Sequence, residues 1–289
     1  MSPDAPSEAI EEPMLASSGN GAGPDPPLRL GGMALRNGLL IHGPRSWAVA
    51  ARGSDGDLGV ASGRKPSFTP GRLSRIPLMR GPLRLLEALA VIPLARRSLP
   101  AARLPFEDPR VAVAALAAAA LARTVRAGQP EEPSLLREGI ASALSVAPAF
   151  VALRGSELAA YHAVEHKVIA AYEQGLPDPA EAAKEHERCG SNLLAPLLLL
   201  SIAGQLLIER LLEEPGQLAR GAAGVASVSL AVEMFAWAER HPDSAFTHAF
   251  RRPGHEIQRL IATREPTGEQ LEVGTAALTE ILRMESILR

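Results

Sequence analysis

The sequence predicts a mainly α-helical, membrane-associated bundle of several helices with a small amino-terminal β element. Apolar residues make up 46% of the 289 residues while aromatics reach only 3%, and most of the apolar content is alanine and leucine, which favour helices. Several long apolar runs carry few charges, and the run over 193–208 carries none. An Asp-Gly step within 54–57, between short apolar runs, indicates a β-hairpin.

Composition also bounds the functional classes. The net charge of −2 predicts no general attraction to nucleic acid. A single cysteine, Cys189, excludes an internal disulfide framework and is compatible with a reducing cytosol. Residues 1–30 are acidic and rich in Pro, Gly and Ser, without the basic and apolar regions of a signal peptide, and are interpreted as a disordered tail.

One domain is expected over residues 31–280. Its first segment, 31–75, contains the β element, 76–240 contains apolar helices, and 241–289 forms a polar carboxy-terminal segment that ends in an amphipathic helix. The pair Gly31-Gly32 favours turn chemistry over a phosphate cradle, because no strand-loop-helix frame of the required spacing surrounds it.

Three apolar runs are short. The first is a helical pattern over 83–94, closed by basic residues and Pro100, and the others cover 111–122 and 140–153. Each spans about 12 to 14 residues, below the roughly 20 that a membrane-spanning helix normally needs. Each is therefore either a buried core helix or a tilted or re-entrant membrane segment.

Two later runs favour membrane helices more strongly. They cover 193–208, weakened by Pro196 and Gln205, and 221–238, which is interrupted only by Glu233. If Glu233 lies at membrane depth, it is a functional candidate and a candidate metal ligand. If the protein is soluble, Glu233 is an ordinary solvent-exposed residue on the polar face of an amphipathic helix. The final helix, from Thr267 to about Leu288, carries an apolar stripe that needs a partner in this chain or in a second copy. The stripe consists of Leu271, Val273, Ala277, Leu278, Ile281 and Leu282.

A histidine box at 161–167, Tyr-His-Ala-Val-Glu-His-Lys, is the main candidate site. On a helix, His162 and His166 project from one face with Glu165 beside them, which is the geometry that two imidazoles need to bind one metal ion. The order His-x-x-Glu-His is that of the inverted zinc-peptidase motif. The alternative is a solvated amphipathic helix that carries these letters by chance.

A second cluster at 185–190 supports the metal hypothesis. Gly175, Pro177 and Pro179 end the helix after the box and favour a turn, which could bring His186 and Cys189 back towards it. The thiolate of Cys189 is a good ligand for zinc or another borderline-soft ion.

Other histidines, the tryptophans and the basic clusters have simpler interpretations. His241, His248 and His255 are expected at the surface, since Pro242 and Pro253 oppose one continuous helix. Trp47 and Trp237 are expected to be packing or interface anchors. Two basic clusters indicate either cytoplasmic chain ends or a solvated surface. They are Arg72, Arg75, Arg80 and Arg84, and Arg251, Arg252 and Arg259.

The chain also carries an ordered set of short motifs: Gly31-Gly32-x-Ala34, Gly38, Gly43-Pro44, Arg80-Gly81, Glu138-Gly139, Tyr161-His162-x-x-Glu165-His166-Lys167, Arg188-Cys189-Gly190, Gln258-Arg259-Leu260 and Thr263-Arg264-Glu265-Pro266. In this order, the set resembles the DUF1385 family. The resemblance implies a largely helical, multi-pass membrane protein with the box beside a spanning helix, in a family often described as predicted metal-dependent enzymes. The chain departs from the family pattern at Asn37, His42 and Ser191-Asn192.

Two functions follow as hypotheses. In the first, a membrane-associated metal-dependent hydrolase, His162 and His166 bind a divalent ion such as zinc, and His186, Cys189 or Glu233 completes the shell. Glu165 takes a proton from bound water, whose pKa falls to about 7 in favourable zinc sites, and Lys167 or Tyr161 stabilises negative charge. In the second, a structural or accessory membrane protein, the same residues cross-link helices. The bilayer and a second copy are the expected partners, with the box and both termini in the cytoplasm.

Overall fold

The computed structural model describes residues 27–68, 78–127 and 134–288, and the elements named below lie within these ranges. The chain is mainly helical and carries one antiparallel sheet near its amino terminus, as predicted. The proposed tail at 1–30 lies mostly outside the described residues, as do Arg72 and Arg75. The strands are β1 (Gly31–Leu35), β2 (Gly38–His42), β3 (Ser46–Arg52) and β4 (Leu58–Arg64), and the helices are α1 (Arg80–Leu89), α2 (Val91–Ser98), α3 (Pro109–Ala127), α4 (Leu135–Leu153), α5 (Glu157–Gln174), α6 (Leu194–Leu211), α7 (Gln217–Arg240), α8 (Ala245–Ile257) and α9 (Gly268–Ile287).

The sheet is a meander in the order β1-β2-β3-β4. The predicted turn joins β3 to β4, and Gly56 adopts a φ of +89° there, which L-residues rarely tolerate. One face of the sheet packs on α5 and α9 and the other on α2. The expectation of a turn at Gly31-Gly32 is wrong, because both glycines lie within β1.

The predicted apolar stripe is confirmed on α9, and its partner surface lies within the same chain. The Thr267 hydroxyl accepts from the Gln270 N–H while the Gln270 side chain accepts from the Thr267 N–H, which caps the helix. Val273, Ala277 and Ile281 are fully buried and pack on the sheet and α5. The stripe is thus covered by the chain's own fold.

The single helix expected over 83–94 is two helices, α1 and α2, separated at Ala90. Pro93 lies in the first turn of α2 and has no N–H to donate back into α1. A continuous helix would therefore lose a hydrogen bond there, whereas a new helix start loses none.

Helices α3 with α4, and α6 with α7, form two packed antiparallel pairs. Three helical segments are long and apolar enough to cross a membrane: Leu135–Leu153, Gly190–Leu211 and Gln217–Arg240. The expectation that the third apolar run was too short is wrong, because α4 begins five residues earlier than the run and covers 19 residues. Pro196 lies in the first turn of α6, where its missing N–H costs no hydrogen bond.

A charge network joins the two helix pairs at one end, here called the far end. The buried Glu138 carboxylate accepts from Arg126 Nε at 3.1 Å, and Arg137 Nη2 donates to Glu209 at 2.6 Å. Arg220 Nη1 also donates to Glu209, at 3.1 Å. At the opposite, near end of the bundle, α4 contacts α5, and the end of α4 and the start of α6 line one cavity with β1.

The surface predictions for the remaining histidines hold. His241, His248 and His255 are exposed. Pro242 does separate α7 from α8, but Pro253 lies inside α8, so that His248 and His255 share one helix, contrary to expectation. Trp47 is buried in the sheet's second core, while Trp237 stacks on His241 with ring centroids 4.3 Å apart.

Candidate metal centre

The box lies on α5, a helix fixed at both ends. The Ser156 hydroxyl accepts from the Ala159 N–H at its start, and Gly175 ends it in the left-handed conformation with a φ of +67°. The chain then doubles back, so that Cys189 Sγ lies 3.4 Å from His162 Nε2. Ligand atoms of His162, His166 and Cys189 all lie within 4.8 Å of one another.

Backbone carbonyls orient both imidazoles of the box. His162 Nδ1 lies 2.9 Å from the Ala262 carbonyl oxygen, and His166 Nδ1 lies 2.6 Å from that of Lys184. Because a carbonyl only accepts, each Nδ1 carries the proton and each Nε2 is left as a lone-pair donor. Burial lowers the pKa of His166, and its buried Nε2 has no hydrogen-bond partner among the described residues.

Cys189 lies at the start of a helical segment. It precedes the short 3-10 turn Gly190–Leu193, which runs directly into α6, and its sulfur accepts from the Ser191 N–H at 3.4 Å. The sulfur is thereby held at this turn and faces His162.

Glu165 lies beside the sheet's edge. A Cβ atom on Gly32 would stand only 2.7 to 2.8 Å from the Glu165 side chain, so glycine is what allows β1 to approach the carboxylate this closely. Burial raises the pKa of Glu165, while His162 and His186 oppose that shift. The glycine pair thus has a packing role at the site.

Gln258 positions the returning loop, and the sequence analysis assigned it no role. Fully buried, it accepts from the His186 N–H at 2.7 Å through Oε1, and its amide donates to Ser191 Oγ at 2.9 Å. It begins the π-helical turn Gln258–Ala262, which presents the Ala262 carbonyl to His162. In the sequence, the only signal for Gln258 was its place in the motif Gln258-Arg259-Leu260.

His186 is near the centre but is not among its three converging donors. Its ring stacks on His166 with centroids 5.6 Å apart. Its Nε2 lies 3.4 Å from the Glu173 carboxylate, which also pairs with Arg188. The loop therefore brings His186 beside His166 and directs its Nε2 at Glu173.

Three other candidate residues lie outside the cavity at the centre. Lys167 is buried, donates to the Ala180 and Ala182 carbonyls at 3.1 and 2.8 Å, and pairs with Glu265 at 3.3 Å. Tyr161 packs in the core between the sheet, α5 and α9. Glu233 lies on α7 and accepts from the Leu78 N–H at 3.3 Å.

A cavity of about 680 Å³ opens beside the box, within the ~300–1,000 Å³ range of small-molecule sites. Its floor holds His162, Glu165, His166, His186 and Cys189, together with His42. Burial, followed by the neighbouring Lys65, lowers the pKa of His42 to about 4. The walls are mostly apolar and come from β1, the end of α4 and the start of α6; they include Leu30, Met33, Phe150, Leu153, Leu194 and Leu197.

These residues fit a metal ion of the zinc type. The set of two imidazole nitrogens and one thiolate is one that zinc accepts, and the orphaned Nε2 of His166 lacks a partner that an ion would supply. Three protein donors beside a cavity leave a position for water or substrate, as in catalytic rather than closed structural zinc sites.

Comparison with known proteins identifies a family without an assigned activity. The family model described as "Protein of unknown function (DUF1385)" matches residues 156–284. The uncharacterized protein YqhQ of Bacillus subtilis (strain 168) is 31% identical over 134 residues, which cover 44% of this chain and 41% of the relative's length. No solved structure matches. The matched region contains the box, Cys189 and the π-helical turn, so the similarity to the DUF1385 family covers the candidate centre.

Proposed function

We propose that this protein is a membrane-associated, metal-dependent hydrolase whose ion is held by His162, His166 and Cys189. The observation that carries the proposal is the convergence of these three donors within 4.8 Å, with each imidazole fixed by a carbonyl at its Nδ1. Oriented imidazoles of this kind are typical of metal sites.

The residues around the donors suit hydrolysis. When bound, a zinc-type ion polarises a substrate carbonyl and acidifies water. Glu165 lines the same cavity and can accept a proton and return it to a leaving group. In this proposal Lys167 and Tyr161 stabilise the fold, because neither lines the cavity.

The proposal places α4, α6 and α7 across a membrane, together with α3, which packs on α4 and leads the chain from the sheet to the far end. At most 28% of each apolar window is buried within the protein, and leucines on these helices are strongly exposed, including Leu199 at 68% and Leu218 at 89%. Lipid would cover these side chains. Since the cavity opens between the near ends of α4 and α6, its substrate would be apolar and reach it from the bilayer, as a lipid-like molecule or a membrane peptide.

The near end is assigned to the cytoplasm. The segments that join α3 to α4 and α6 to α7, residues 128–133 and 212–216, contain no lysine or arginine. The segments that join α4 to α5 and α5 to α6, at the near end, contain Arg154, Lys184 and Arg188. Positive charge concentrates on the cytoplasmic side of membrane proteins, which supports a cytoplasmic site.

The test is metal content. Elemental mass spectrometry on protein purified in detergent without chelators is expected to find about one transition-metal equivalent. We expect His166→Ala and Cys189→Ala to lose it and His248→Ala, an exposed histidine on α8, to retain it. A metal-free native protein would contradict the proposal.

The structural alternative makes a different prediction for the same sample. It requires a closed shell of four protein ligands, which X-ray absorption would detect as a fourth nitrogen or sulfur donor. Three protein ligands plus an exchangeable oxygen would favour catalysis.

A further inference from the structure

Strand β1 is an edge strand whose outward backbone groups are identified by its register. Leu35 pairs with Gly38 across a two-residue turn, and the pairing continues through Met33 with Leu40 and Gly31 with His42. Because such pairs alternate along an antiparallel ladder, the N–H and C=O groups of Gly32 and Ala34 point away from β2. Within the described ranges, no hydrogen bond engages these groups.

This open edge borders the cavity. Gly32 and Ala34 line it together with Glu165, and its lining also includes Ala149, Phe150 and neighbouring apolar residues at the end of α4. A Cβ atom on Gly32 would stand 2.7 Å from the Glu165 side chain, so the carboxylate side chain lies against this part of β1. A chain paired with β1 would therefore lie in the cavity, with its backbone next to the carboxylate.

We propose that β1 binds an extended polypeptide segment as an additional strand, so that the substrate bond is a peptide bond. This rests on the proposed function for its chemistry. Main-chain hydrogen bonds to an exposed sheet edge are a recurring mode of peptide recognition. In the hydrolysis, the oxygen of water bonds to the carbonyl carbon, the C–N bond breaks, and a proton of the water ends on the leaving nitrogen.

The unpaired edge favours a peptide over an acyl chain. An acyl chain in the cavity would displace water from Gly32 and Ala34 and offer them no hydrogen bond, which leaves buried backbone groups unpaired at a cost. A peptide in extended form supplies both donors and acceptors at the strand spacing. Its alternate side chains would face the apolar wall from α4 and α6.

A backbone methylation scan of the ligand tests the strand geometry. The probe is a short blocked peptide of alternating alanine and leucine, fluorescently labelled. Its binding to the zinc-loaded Glu165→Gln variant in nanodiscs, which lacks the proposed proton acceptor and should leave the probe intact, is followed by anisotropy. N-methylation of a residue whose N–H faces β1 is expected to weaken binding by about tenfold, while methylation of the next residue changes it little. An effect without this two-residue alternation would overturn the proposal.

Two matched proline variants test the same edge on the protein. Ala34→Pro removes an outward N–H of β1, and Val60→Pro removes one from β4, the other edge strand, whose register also directs Val60 outward. Ala34→Pro is expected to lose peptide binding and Val60→Pro to retain it, with metal content and melting temperature as folding checks. If Ala34→Pro does not fold, the methylation scan decides alone.

The outcomes separate this inference from the proposed function. Alternating peptide binding to a protein that holds no metal would support the edge and contradict the metal centre. A second probe, a fluorescent fatty acid, tests for lipid in the same cavity. If the protein holds metal but binds no peptide, and lipid alone displaces this fatty acid, the metal centre would be sustained and the peptide proposal overturned.

Discussion

Gln258 is a buried amide that contacts no proposed ligand atom and yet fixes the segment that carries two of the candidates. Its side chain bonds both the N–H and the C=O of His186 and the hydroxyl of Ser191. Removal of these bonds would release the segment that ends at Cys189. Residues of this supporting kind typically contribute 10- to 100-fold to metal affinity.

We therefore expect Gln258→Leu to weaken zinc binding by about 10- to 100-fold, measured by competition with a chromophoric chelator. Leucine keeps most of the side-chain volume and removes the amide. Arg259→Ala, an exposed neighbour on the same turn, is the control and should bind as the native protein does. Native affinity in Gln258→Leu would show that the loop holds its position without the amide.

The local part of the centre could be predicted from the sequence and the distant part could not. The spacing of His162 and His166 fixes them on one helical face, and the glycine and prolines after α5 indicated a returning loop. The contact with the Ala262 carbonyl could not be predicted. This residue lies 100 positions from His162, and because every residue has a carbonyl, the sequence does not mark this one as a partner. Only the π-helical turn in the fold distinguishes it.

At the scale of elements, the far-end charge network ties α3 to α4 and α6 to α7. Glu138 is completely buried and faces two arginines, Arg126 and Arg137. Removal of one member of a buried ion pair leaves an uncompensated charge and typically costs about 3–5 kcal/mol. Loss of Glu138 alone should therefore destabilise the bundle, because Arg126 and Arg137 would lose the carboxylate that compensates them.

We expect Glu138→Ala to lower the free energy of unfolding by about 3 kcal/mol, seen as a lower melting temperature of the protein in detergent. Glu213→Ala is the control, since Glu213 is exposed in the connection between α6 and α7 and its loss should change little. Equal melting temperatures for the two variants would mean that the network adds no net stability.

The elements themselves were largely predictable, with errors at their boundaries. The apolar stripe of α9 and the turn at Gly56 follow from local patterns. The length of α4 could not be predicted from a local pattern. Its first turns contain Arg137 and Glu138, and two adjacent charges indicate the end of an apolar helix. In the fold these charges are paired with partners on α3 and α6. Tertiary ion pairs are invisible to a local hydropathy pattern.

For the whole molecule, the orientation across a membrane is open to direct test. The native cysteine is buried, so an introduced one can be labelled selectively. In intact cells, a membrane-impermeant maleimide is expected to label Glu214→Cys at the far end and to leave Thr275→Cys, exposed on α9, unlabelled until the membrane is permeabilised. The reverse pattern would invert the proposed topology, and labelling of both would argue against a spanning bundle.

The contact between His162 and the Ala262 carbonyl has a consequence for biosynthesis. Chains are made from the amino terminus, at about 5–20 residues per second. The ring of His162 is therefore not oriented until Ala262, 100 positions later, has been synthesised. Both helix pairs are complete by Arg240, so they can enter the bilayer before the centre exists. If the centre holds a metal as proposed, an oriented His162 is available to it only after Ala262 has been synthesised.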